Sequence, residues 1–243
     1  MRDAVFHVLF VWYPYVCLSS FIFGSIIRFD REQYTWRSGS SQLLRKRQLR
    51  WGSNLFHAGV LFLLLGHFVG MLTPHWAYER FISAGDKQVL AMASGGIAGV
   101  LAITGLTILL HRRLADPRIR ATSSRMDIAL LFIFWLQLAL GLASVPLSGQ
   151  HLDGSVMLVL AEWAQRIVTF QPGAADLIAN VSWVFKVHIV LGLTIFLIFP
   201  FGRLVHVWSG LASVTYLIRP YQLVRPRGRK TATESAPGAW RAS

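Results

Sequence analysis

The chain is organised as five long, nearly uninterrupted apolar runs, at about 5–27, 52–72, 89–110, 128–145 and 183–207, separated by polar connections. Each run reaches the roughly 17 to 25 residues that cross a bilayer. An isolated span must satisfy its own backbone hydrogen bonds, so all five are predicted to be helices. The first run follows MRDA, where Asp3 offsets Arg2, and its apolar part exceeds the usual core of a cleaved leader. It reads as a retained span. The connection at 146–182 places Val156, Leu160, Trp163 and Ile167 at helical spacing, which predicts a short interfacial helix. The expected fold is an all-α integral membrane protein, five transmembrane helices in one bundle over residues 1–225. A basic tail at 226–243, rich in Pro, Ala and Ser, has no expected fixed structure.

Composition agrees: 54% of the 243 residues are hydrophobic and 14% are charged, too apolar for a soluble domain. The net charge of +13 raises nucleic acid as a partner, so its distribution decides. Nineteen of the 24 Lys and Arg fall in 28–50, 112–125 and the stretch from Arg203 onward, and five (Arg2, Arg80, Lys87, Arg166, Lys186) fall on the other side or its edge. That is a strong positive-inside bias, predicting an outside (periplasmic) N-terminus and a cytoplasmic C-terminus. Topology then explains the basicity, leaving no nucleic-acid reading. Cys17 is the sole cysteine, which rules out an internal disulfide, a thiolate-held iron–sulfur cluster and C-x-x-C-H haem attachment within the chain. A redox cofactor would be held non-covalently, with histidine as ligand.

Of eight histidines, His7, His75, His111 and His151 sit at span ends or in connections, where interface or loop roles suffice. His57, His67, His188 and His206 form two pairs on two predicted helices, and ionisable residues inside a span are functional candidates. Counting depth at about 1.5 Å per residue in opposite directions, His67 matches His188 within about 2 Å, and His57 matches His206 within about 14 Å. The crossed pairing misses by about 13 and 29 Å, so the nested one is preferred. The helix-disrupting FPFG at 199–202 offers a way to shorten the path to His206. Opposed imidazoles at two depths are what two six-coordinate haems require. Zinc instead needs three or four ligands converging on one point.

A flat porphyrin needs small neighbours. Gly52, Gly59, Gly66 and Gly70 fall within about 40° of one another on the second helix, Gly192 follows His188 by four residues, and Gly202 precedes His206 by four. Close helix packing is the competing explanation. It is preferred for the third run, where Ala91, Gly95, Ala98, Ala102 and Gly105 form a small ridge without a ligand. Arg113 and Arg203, at inner span ends, suit haem propionates by guanidinium–carboxylate geometry, and ordinary positive-inside placement explains them equally well.

Three stretches carry a specific resemblance: QYTWRSGSSQ (Gln33 to Gln42), SNLFHAGVLFLLLGHFVGMLTPHW (Ser53 to Trp76), and FGRLVHVW (Phe201 to Trp208) followed by YQLVR (Tyr221 to Arg225). Together they resemble the gamma, cytochrome b subunit of membrane-bound respiratory nitrate reductase, from the first span through about Arg225. The resemblance implies a bacterial inner-membrane, quinol-oxidising (ubiquinol or menaquinol) anchor. It would pass electrons through two b haems to an iron–sulfur beta subunit and a molybdenum alpha subunit in the cytoplasm, with nitrate as acceptor. It further implies His67 and His188 as axial ligands of the outer haem, His57 and His206 of the inner one, and a quinol site of Lys87, Gly66 and His67. Read without it, Lys87 is a solvated loop charge. A ligand imidazole can donate its other ring N–H, so His67 can connect quinol and haem. Competing readings are a diheme subunit of another terminal reductase, a histidine-relay proton or metal transporter, and a passive anchor. Asp127, at a span edge, is the only nearby acidic partner for a relay.

Overall fold

The structure, a computed structural model, describes residues 2–32 and 44–208. The Gln33–Gln42 and Tyr221–Arg225 motifs and the tail at 226–243 lie outside the described residues. Among the described residues all regular structure is helical. The elements are α1 (Arg2–His7), a π-helical turn (Val8–Trp12), α2 (Tyr13–Glu32), α3 (Lys46–Leu72), α4 (His75–Tyr78), α5 (Ala84–Ala115), α6 (Pro117–Ala121), α7 (Arg125–Ser148), α8 (Ser155–Val168), α9 (Ala174–Leu177) and α10 (Trp183–Ile198). Two short 3-10 turns, Phe199–Phe201 and Arg203–Val205, follow α10.

Five helices are long and apolar enough to cross a membrane: Ala4–Arg31, Lys46–Leu72, Ala84–Ala115, Arg125–Ser148 and Trp183–Phe201. The first four outrun their apolar cores, because a helix continues until something satisfies its free terminal amides. Ser83 Oγ accepts from Asp86 N–H at 3.1 Å to start α5. Ser124 and Asp127 form a reciprocal capping box that starts α7. The fifth ends before 207. Pro200 has no N–H to continue the ladder, and Phe199 N–H turns back to Phe196 O. Gly202 is extended at φ −109° and ψ −171°. Arg28 of α2 holds this break by donating to Pro200 O at 2.5 Å and Gly202 O at 2.8 Å.

The π-helical turn is a feature that hydropathy does not announce. Pro14 cannot donate to the carbonyl of Phe10, which is the bond an α-helix would make there. The indole N–H of Trp163 donates to that carbonyl instead, at 3.1 Å. Phe10 is thereby fixed in a buried cluster with Trp163, Ile167, Ala174, Ala175 and Ile178. So α8, the helix expected at 146–182, seats its apolar face against the first span.

Small residues set the closest helix contact. A Cβ on Gly59 of α3 would stand 2.5 Å from Ala98 O and 2.7 Å from Ala102 N of α5. Gly105 of α5 is equally close to the α3 backbone at Gly52 and Phe56. Leu138 of α7 packs on Ala102 and Leu106 of α5. On the other flank, α2 meets α10 through Tyr13 Oη and Thr194 Oγ1 at 2.8 Å and through Ser20 donating to Leu197 O at 2.9 Å. Phe62, Leu65 and Phe68 of α3 point outward, as expected where the surrounding solvent is hydrocarbon.

Candidate functional site

His57 and His67 of α3 meet His188 of α10 and His206, which follows the second 3-10 turn, in two pairs. His67 and His188 have ring centroids 6.1 Å apart, and the His57 and His206 rings are also 6.1 Å apart. The nested pairing is the one found. The break after α10 redirects the chain by way of Gly202, which closes the gap of about 14 Å that a straight helix would leave. Along α3 the two pairs are ten residues, about 15 Å, apart.

The spacing discriminates between chemistries. A metal–nitrogen bond of about 2.0 Å on each side, with about 1.15 Å from each nitrogen to its ring centre, separates trans imidazole centroids by about 6.3 Å. Rings hydrogen-bonded directly would sit about 5.2 Å apart. The 6.1 Å separation within each pair is therefore compatible with one iron held between the two rings. Among the described residues no three His, Cys, Asp or Glu gather at one point.

Backbone carbonyls orient three of the rings. His57 Nδ1 lies 2.8 Å from Ser53 O, His67 Nδ1 2.7 Å from Leu63 O, and His206 Nδ1 2.6 Å from Arg203 O. A proton on Nδ1 leaves Nε2 as the lone-pair ligand atom, the usual arrangement for a metal-bound imidazole. The Leu63 bond also occupies the His67 N–H that a quinol oxygen would need. His188 differs: its Nδ1 is buried without a partner, and its Nε2 lies 3.4 Å from Gln137 Nε2 of α7.

The glycine stripe of α3 divides by function. Gly52 and Gly59 are packed on α5, whereas a Cβ on Gly66 or Gly70 would meet nothing within 4 Å. The bare part of the stripe flanks His67, where a flat macrocycle would need clearance. In the α5 ridge, Ala98, Ala102 and Gly105 are buried in the contact and Gly95 is open.

Lys87 is tied to the same end of α3. Its ammonium donates to Gly70 O at 3.2 Å and stands 3.5 Å from the centroid of the Tyr78 ring. Gly70 is one turn beyond His67, so Lys87 and Gly66 belong to the surroundings of the His67–His188 pair. Tyr78 gave no signal in the sequence beyond an interfacial aromatic. At the other end of the bundle, Arg113 Nη1 lies 3.5 Å from Asp127 Oδ2, and Arg203 Nε donates to Asp127 Oδ1 at 2.6 Å while its Nη2 pairs with Oδ2. Both candidate propionate ligands thus converge on one carboxylate, close to the His206 turn. That convergence joins α5, α7 and the segment after α10.

The fold and this site define a class: a five-span helical membrane protein with two facing imidazole pairs at different depths. The chain belongs to the nitrate reductase gamma subunit family, whose match covers residues 6–227. It is 50% identical over 215 residues to the respiratory nitrate reductase 1 gamma chain of Escherichia coli (strain K12), covering 88% of this chain and 95% of that one. It is 52% identical to the respiratory nitrate reductase 2 gamma chain of the same organism, covering 88% and 94%. Identity to the nitrate reductase gamma chain of Bacillus subtilis (strain 168) is 40%, covering 88% and 95%. It is accordingly a multi-pass protein of the bacterial inner membrane and a subunit of an electron-transporting oxidoreductase complex.

Proposed function

We propose that the chain is the quinol-oxidising, diheme cytochrome b subunit of a respiratory nitrate reductase. The observation that carries this reading is the 6.1 Å separation within each imidazole pair. When bound, two b haems supply a one-electron relay between the two ends of the bundle. The chain's own residues hold, orient and shield. His67 and His188 would hold the haem nearer the quinol, and His57 and His206 the haem nearer the exit. Arg113 and Arg203 stand where propionates of the exit-side haem would compete with Asp127 for them.

Positive-inside charge supports a periplasmic N-terminus and Lys87 end, and a cytoplasmic C-terminus. There Lys87 binds a quinol oxygen, with Gly66 and His67 forming the wall, and the two quinol protons leave to the periplasm. A quinol hydroxyl that takes the His67 Nδ1–H displaces the bond to Leu63 O. Ubiquinol and menaquinol both present the required oxygens. Residues 1–225 form the membrane bundle, 226–243 a cytoplasmic tail. The basic cytoplasmic face docks an iron–sulfur beta subunit, which passes electrons to a molybdenum alpha subunit.

Purification of the assembled complex in mild detergent should give reversible b-type spectra with two haems per chain; a colourless chain of normal helicity would overturn the reading. Lys87→Ala should lower quinol-driven nitrate reduction about 10- to 100-fold, because a hydrogen bond from a charged donor contributes about 1.5–3 kcal/mol. Turnover from an artificial donor that bypasses this chain should be unchanged, and equal losses in both assays would remove Lys87 from the quinol site.

A further inference from the structure

The break that carries His206 into place is satisfied from a neighbouring helix, which is how a membrane span tolerates proline and glycine. That helix is α2. Four of its residues, Phe21, Gly24, Ser25 and Arg28, stand at i, i+3, i+4 and i+7, so they share one face. Each of them meets the redirected segment. Phe21 packs edge-on against Phe199 with centroids 4.9 Å apart, and a Cβ on Gly24 would stand 2.7 Å from Pro200 Cγ. Ser25 Oγ accepts from the Trp208 indole N–H at 3.2 Å. Arg28 Nη1 donates to Pro200 O at 2.5 Å and to Gly202 O at 2.8 Å.

These contacts bracket His206, which lies between Gly202 and Trp208. Within the bracket, His206 Nδ1 lies 2.6 Å from Arg203 O, a carbonyl of the same segment. Whatever fixes the segment therefore fixes the imidazole. Arg203 is tied to Asp127 of α7, and the residues before and after it are tied to α2. Of the four α2 residues only Arg28 brings a charge, and hydrogen bonds from a charged donor are about twice as strong as neutral ones. Positive-inside placement accounts for a cation at this end of α2. It does not account for two bonds to carbonyls 172 and 174 residues away in the chain.

We infer that Arg28 is a positioning residue for the exit-side haem: by holding Pro200 O and Gly202 O, it fixes the depth and the ring plane at which His206 faces His57. The inference rests on the two-haem reading above. The His57 and His206 ring planes stand 73° apart, against 37° for His67 and His188. The EPR signal of a low-spin ferric haem with two axial imidazoles depends on that angle, so a turn of His206 is visible apart from turnover. Groups that orient a metal ligand from outside typically contribute about 10- to 100-fold to affinity or activity. Arg28 acts through the backbone, which places its contribution at about the lower figure.

The test uses the assembled complex, comparing wild type with Arg28→Met, Arg28→Lys and Gly24→Ala, and with Ile26→Ala, at an exposed α2 position, as control. A wild type without two haems would overturn the functional reading, whereas the variants decide this inference. In Arg28→Met the exit-side haem should be lost about tenfold faster on warming and show a changed EPR signal, with the quinol-side haem as in wild type. Arg28→Lys keeps the charge and a donor, and its exit-side haem should lie between wild type and Arg28→Met. Gly24→Ala presses on Pro200 from the same face and should alter the exit-side EPR signal alone. It carries the test if Arg28→Met does not assemble. Ile26→Ala should leave both haems unchanged. A wild-type exit-side haem in the deciding variant, or an equal change at both haems, would overturn the inference.

Discussion

Replacing His67 with alanine should remove the quinol-side haem and leave the exit-side haem in place. The same haem should be lost from His188→Ala, and the other from His57→Ala or His206→Ala. A six-coordinate site with two trans imidazoles loses half its protein ligands with either member, and the facing ring 6.1 Å away cannot supply a second bond to the same iron. Removing only the hydrogen-bond partner of a metal ligand typically costs about 10- to 100-fold in affinity or activity, so removing the ligand should cost more. Quinol-driven nitrate reduction should accordingly fall by more than about 100-fold in all four variants. The pairs are about 15 Å apart along α3, far enough for the two losses to be independent. Difference spectra of the purified variants decide: His67→Ala and His206→Ala removing the same haem would refute the nested pairing. Full turnover in any of the four would return the chain to the passive-anchor reading.

That pairing was legible in the sequence because helices in a bilayer reduce three-dimensional placement to depth, and depth is counted by residue number. The same counting failed by about 14 Å for His206, where Pro200 and Gly202 replace the regular rise with a redirected chain that residue counting cannot follow. Glycines were visible as a stripe but not by purpose. Gly59 and Gly66 lie seven residues apart on almost one face, yet one touches Ala98 and Ala102 while the other borders open space. The neighbour, not the glycine, makes the difference. Asp127 read as a solitary charge at a span edge; its service to Ser124, Arg113 and Arg203 at once is a tertiary fact. The Pro14 break was readable in principle, but its remedy, an indole from residue 163, was not.

Gly105→Ala should destabilise the bundle more than alanine at any other glycine of α5. A Cβ at Gly105 would meet Gly52 O at 2.7 Å and Leu55 Cβ at 2.9 Å, with the amide nitrogen of Phe56 nearest of all. Oxygen and nitrogen of the α3 backbone cannot turn aside as a side chain could, so the two helices must separate. Overpacking that side chains can absorb costs about 1–3 kcal/mol, and this substitution should exceed that range. In a membrane, contacts between small residues supply much of the association between helices, because hydrocarbon offers no hydrophobic drive to bring them together. The displacement would fall on Phe56 and hence on the adjoining His57, so the exit-side haem should be lost before the quinol-side one. Gly95→Ala is the matched control, on the same helix and in the same small ridge, with nothing within 4 Å of its added methyl. Alanine is a better helix former than glycine by about 1 kcal/mol, so this variant should be neutral or slightly more stable. Thermal inactivation of the two purified complexes, followed by haem absorbance at each potential, separates the effects. Equal stability of Gly105→Ala and Gly95→Ala would mean that α3 and α5 are not held together at this crossing.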